Sequence, residues 1–164
     1  MGIKTKNVNL YLCFVILLVL IKFDTVYSQP VSFSLNSSAN LNLVYQTEND
    51  FETERLVTNA FRMELRGRNT DMMVSARTNS TLNFSFTRLP VDVFSIKLNN
   101  TNFFVNPSYN SKFALNYSDQ NILYFRTNNN RTYYFDYNLY YKPIGYEVEP
   151  GQYYFSIIFT VTEI

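Results

Sequence analysis

Apolar and polar residues alternate along most of this chain with the two-residue period of a strand that buries one face. The clearest case closes the sequence. Tyr153, Phe155, Ile157, Phe159 and Val161 share one parity, and Gln152, Ser156, Thr160 and Thr162 share the other. Phe61, Met63 and Leu65 alternate with Arg62, Glu64 and Arg66, which predicts an apolar inner face and a charged outer one. From Thr132 to Tyr141, Tyr133, Phe135, Tyr137, Leu139 and Tyr141 oppose Tyr134, Asp136, Asn138 and Tyr140. Lys142 to Gly151 joins this segment to the last one and carries Pro and Gly at both ends. That pattern predicts a long hairpin loop with Pro150 and Gly151 at the centre of a type II turn, making the two long strands partners.

Shorter alternating runs fill the rest: Val31, Phe33, Leu35; Leu41, Leu43, Tyr45; Met72, Val74, Ala76; Leu82, Phe84, Phe86; Phe94, Ile96, Leu98; Phe103, Val105; Phe113, Leu115, Tyr117; and Ile122 to Phe125. Turn-forming Asn, Ser, Asp, Gly or Pro clusters separate them. Helical spacing is confined to Glu52 to Phe61, where Leu56, Ala60 and Phe61 line one face for a single turn. The predicted fold is an all-β, Ig-like antiparallel β-sandwich. With no repeat, linker or charge block, residues 29–164 form one domain.

The first residues set the compartment. Lys4 and Lys6 precede an apolar run from Leu10 to Ile21, and Val26, Tyr27 and Ser28 follow at signal-peptidase positions, so residues 1–28 are expected to be a cleavable signal peptide. The run is shorter than the roughly twenty residues that span a bilayer, and no later segment is continuously apolar. The expectation is a secreted, periplasmic or cell-surface protein with no membrane span after cleavage. Cleavage leaves 136 residues with 11 basic and 12 acidic side chains. This balance gives no electrostatic case for nucleic acid.

The chain has no His, and its one cysteine, Cys13, lies in the signal. The mature protein therefore lacks disulfides, thiolate or imidazole metal sites, and nucleophiles activated by His. No catalytic residue, cofactor or metal site is expected. Glu48, Asp50, Glu52 and Glu54 are the one concentration of carboxylates. Hard oxygen ligands can hold Ca²⁺, but a solvated loop accounts for the cluster. Glu64 and Asp136 read as outward charges with Arg62 and Arg66 as cross-strand partners rather than as a glycosidase pair. Asn36, Asn79, Asn83, Asn99, Asn116 and Asn130 begin glycosylation patterns that bear on function only in a eukaryotic cell.

Two surfaces carry the functional expectation. Tyr134, Tyr140, Tyr141 and Tyr154 point to an aromatic face for a carbohydrate or protein ligand. By parity Tyr134, Tyr140 and Tyr154 lie opposite Phe135, Leu139 and Phe155, and such a face is either covered or used for binding. The second surface is an assembly edge. A long apolar terminal strand has unpaired backbone groups, to be covered by its own fold or by another chain.

Gly151, thirteen residues before the end, followed by the alternating Tyr153, Phe155, Ile157, Phe159 and Val161, resembles the last strand of chaperone–usher pilin subunits and of spore-coat-protein-U-like secreted proteins. The run Pro150-Gly151-Gln152-Tyr153-Tyr154 is also similar to the start of the last strand in bacterial Ig-like surface modules. Glu163 stands where such pilins carry an aromatic residue, and their disulfide has no cysteines here. The resemblance covers residues 133–164. It implies a structural subunit whose N-terminal arm, Gln29 to Tyr45 with Val31, Phe33 and Leu35, pairs beside the terminal strand of another subunit. The alternative is that the arm is the first strand of its own sandwich, in a monomeric binding module.

Overall fold

The computed structural model describes residues 31–37, 41, 44–81, 90–128, 131–146, 148 and 153–164. The expected signal peptide, residues 1–28, Leu43, the Leu82 to Phe86 run, and the turn expected at Pro150 and Gly151 lie outside the described residues.

The strands are β1 (Ser32–Ser37), β2 (Arg55–Arg66), β3 (Asp71–Thr81), β4 (Phe94–Thr101), β5 (Lys112–Ala114), β6 (Gln120–Arg126), β7 (Thr132–Tyr141) and β8 (Tyr154–Glu163). A short helix, α1 (Glu48–Glu52), and 3-10 turns at Val91–Val93 and Pro107–Asn110 lie between them. The strands pair antiparallel in two sheets, one of five strands in the order β1-β2-β7-β4-β5 and one of three in the order β6-β3-β8.

The alternation explains how the sheets meet. Met63 and Leu65 on β2, Ile96 on β4, and Tyr133, Phe135, Tyr137 and Leu139 on β7 turn inward and are buried. Met72, Val74 and Ala76 on β3 face them, with Ile122, Leu123 and Phe125 of β6 buried beside them. Burying one such side chain contributes about 1.5–3 kcal/mol. Edge-to-face ring pairs tie the layers together. Phe125 packs on Phe135 at 5.0 Å, Phe155 on Phe94 at 4.7 Å, and Phe159 on Phe61 at 5.4 Å between centroids. The last two contacts show that β8 crosses the larger sheet obliquely, starting over β4 and passing over β2.

The predicted partnership of the two long strands is overturned. β7 lies in the middle of the larger sheet between β2 and β4, whereas β8 pairs with β3 across ten register positions, from Met72 opposite Glu163 to Thr81 opposite Tyr154. The connection from Lys142 onward thus carries the chain from one sheet to the other. One short predicted strand is absent among the described residues, and another is only partly described. Phe103 and Val105 lie in irregular chain, where Phe103 packs edge-on against Tyr133 at 5.2 Å. Leu41 and Tyr45 lie outside any strand as well. The single helical turn forms, but upstream of its expected place, as α1; β2 begins at Arg55.

Candidate functional site

Two surfaces bring the sequence-predicted residues together. The first is the flank where both sheets end. β1 is the edge of the larger sheet and pairs with β2 alone, Phe33 opposite Leu65 and Leu35 opposite Met63. Phe33 and Leu35 therefore carry the core parity, yet they are 40% and 38% exposed. β8 is the edge of the smaller sheet, and among the described residues no strand pairs with its other side. Its inward residues Phe155, Ile157, Phe159 and Val161 pack against the core but are only half-buried. Phe159 touches Phe61, whose register partner is Ser37, so the later part of β8 lies on the β1 side of the sandwich.

The candidate edge residues thus fall on two strands of different sheets along one flank. Val31 precedes β1, Tyr153 precedes β8, and Gly151 is outside the described residues. In its described residues the proposed arm of this chain pairs with β2 and not with its own β8. Its apolar parity extends that of β2, and its register with β2 is continuous over six positions.

The second surface is the outer face of the larger sheet. Tyr134, Asp136, Asn138 and Tyr140 project from β7 on the side away from the core. Arg62, directly opposite Asp136, donates to it from Nε at 2.7 Å and from an Nη at 2.9 Å, a two-pronged ion pair. Asn100 adds a weaker bond to the same carboxylate at 3.4 Å. These donors cover Asp136 so completely that it is 3% exposed although it faces outward. The Arg62 bonds hold its carboxyl below the ordinary value of 3.8, against the opposing effect of burial. Arg62 also lies over the Tyr134 ring, 5.1 Å from its centroid.

Bulges in both neighbours of β7 shape this face. Register shifts between Val57 and Phe61 on β2 and between Leu98 and Asn100 on β4. In the first bulge Asn59 has φ 50°, in the left-handed region that Asn tolerates better than most residues. Its backbone N–H donates to Asn138 Oδ1 at 2.9 Å, and its own Oδ1 accepts from Asn99 Nδ2 at 2.9 Å. Two amides from strands on either side of β7 therefore meet across Asn138 and bury it. Sequence reasoning missed this bridge. Its signal was the placement of Asn, a poor strand former, at positions 59, 99 and 100 inside otherwise regular strands.

The three tyrosines predicted to share a face do not. Tyr134 and Tyr140 flank the amide bridge, while Tyr154 on β8 is on the outside of the other sheet, and Tyr141 points inward and is buried. Tyr141 donates from its hydroxyl to the Leu41 carbonyl at 3.1 Å, and burial pushes its pKa up to about 12. Tyr154 and Tyr140 separate because their strands belong to different layers.

The carboxylates of the acidic cluster are engaged locally rather than together. Asp50 Oδ2 accepts from the N–H groups of Gln46 and Thr47 and from Thr47 Oγ1, and these bonds hold its pKa below the usual range. Phe51 packs between Tyr45 at 5.3 Å and Tyr146 at 5.6 Å, and the Tyr146 hydroxyl donates to Glu52, pinning the chain after β7 onto α1. Among the described residues no group of three or more His, Cys, Asp or Glu could hold a metal ion, and no helix is long and apolar enough to cross a membrane.

No protein-family model matches the chain, and no curated protein matches it significantly.

Proposed function

We propose that this chain is an exported, non-enzymatic surface or structural protein on an Ig-like sandwich, comparable to a pilin-like subunit, which works by strand addition at β8. One observation carries the reading. β8 is ten residues long, contains no Pro, bears one charge at Glu163, and pairs with β3 without a register break, so the side that no described strand pairs with is a straight, nearly uncharged edge. Edges that must stay single are usually blunted by Lys, Pro or a bulge. An added strand would pair this backbone and cover the half-buried row from Phe155 to Val161. A neighbour's arm with Val31, Phe33 and Leu35 has the required alternation. In its own subunit β1 is the least buried strand, so its release is the least costly.

The absence of His and Cys from the mature chain supports a non-enzymatic role, as does the pairing of Asp136 with Arg62, which keeps that carboxylate ionised and unable to act as a proton donor. Export rests on residues 1–28; the mass of the secreted chain is expected to correspond to a start at Gln29. Deleting Gln29 to Asn36 tests the arm. Loss of oligomers with retained β-sheet circular dichroism is expected. A folded monomer from both forms would reject assembly.

A second reading is a monomeric binding module that uses the outer face of the larger sheet, Tyr134 and Tyr140 included, for a carbohydrate or protein ligand. The two bulges favour it, because such devices re-aim side chains at working surfaces.

A further inference from the structure

On the Tyr140 side of the amide bridge, Lys97 of β4 and Lys112 of β5 stand directly opposite each other. Both lie on the outer face, since Lys97 is level with Asn138 in the β7 register. Like charges in this position repel. Glu54 pairs with Lys112, which also lies over the Tyr140 ring, 4.4 Å from its centroid. Lys97 is exposed, and among the described residues no carboxylate pairs with it. Leu56, opposite Tyr140 on β2, is 52% exposed. Ser95, level with Tyr140 in the β7 register, borders the same patch on β4.

We propose that this patch binds an acidic sugar, a uronate unit of an oligosaccharide. Its carboxylate sits between Lys97 and Lys112, where it relieves the repulsion that Glu54 offsets at one lysine only. Its C–H face packs on Leu56 and against the edge of the Tyr140 ring, whose face Lys112 covers, and a hydroxyl reaches the Ser95 hydroxyl. The charge selects an anion, while the adjoining ring, exposed Leu and Ser95 hydroxyl select a pyranose over a bare anion. A nucleic acid would need an extended basic stripe, and the mature chain has 11 basic against 12 acidic side chains. The proposal rests on the binding-module reading and is independent of strand addition at β8.

The test is calorimetric titration of the mature chain with a galacturonate hexamer, with cellohexaose and inorganic phosphate as comparators. The expected result is binding of the galacturonate alone, weakening as salt is raised, and reduced about tenfold or more by Lys97→Met. Tyr140→Ala, checked for folding by circular dichroism, is expected to weaken it similarly. Equal binding of phosphate would overturn the sugar. Binding of cellohexaose through Tyr140 without a Lys97 effect would overturn the acidic ligand and keep the binding-module reading. No saccharide binding at all would overturn the inference and leave strand addition to stand or fall by light scattering.

Discussion

Asp136 faces outward from the central strand of the larger sheet and is nonetheless buried, because Arg62 and Asn100 close over it. A carboxyl whose folded pKa is depressed contributes stability above its unfolded value, and that contribution is lost as pH falls through the folded value. Stability is therefore expected to fall below about pH 4, and Asp136→Asn to show a shallower acid limb in denaturant titrations. Asn138→Ala would remove the acceptor of the Asn59 N–H, and a loss of about 0.5–1.5 kcal/mol is expected in urea unfolding. Tyr137 is the opposite case. Its hydroxyl is buried in the core with no hydrogen-bond partner among the described residues, and burial pushes its pKa up. Tyr137→Phe removes that unsatisfied group with almost no change of shape, and a gain of about 1 kcal/mol is expected by the same method.

At the scale of elements, the proposed strand addition involves the β8 edge and the β1 arm. A charge pointing inward from an edge strand blocks further pairing. Ile157→Lys is therefore expected to abolish oligomers while circular dichroism stays β-rich; oligomers that persist would remove β8 from the assembly surface. Which face each strand turns inward was legible in the alternation of residues such as Met63 with Arg62 and Phe135 with Asp136, because period two records burial directly. Strand partnership was not. Tyr133 to Tyr141 and Tyr153 to Val161 carry the same pattern whether they pair in one sheet or pack across two, and only the three-dimensional course of the connection distinguishes these arrangements. The outer-face network was half legible. The Arg62 and Asp136 partnership followed from charge and parity, but the bridge from Asn59 to Asn99 depends on bulges, which leave Leu98 inward and Asn100 outward although their sequence parity is the same.

Among the described residues a five-stranded sheet packs against a three-stranded one, so the described strands of the smaller sheet do not cover the larger to both edges. The deficit shows as the exposure of Phe33 and Leu35 and the half-burial of Phe155 to Val161 along one flank. A single cysteine excludes a disulfide within the sequence, so sheet pairing and burial hold the sheets together, and one more strand at β8 would add both. Strand addition at β8 is tested most directly by size-exclusion chromatography with light scattering on residues 29–164 across a range of concentrations. Oligomers or polymers that dissociate in the Ile157→Lys variant are the expected result. A folded species that keeps the mass of a single chain at every concentration would contradict it.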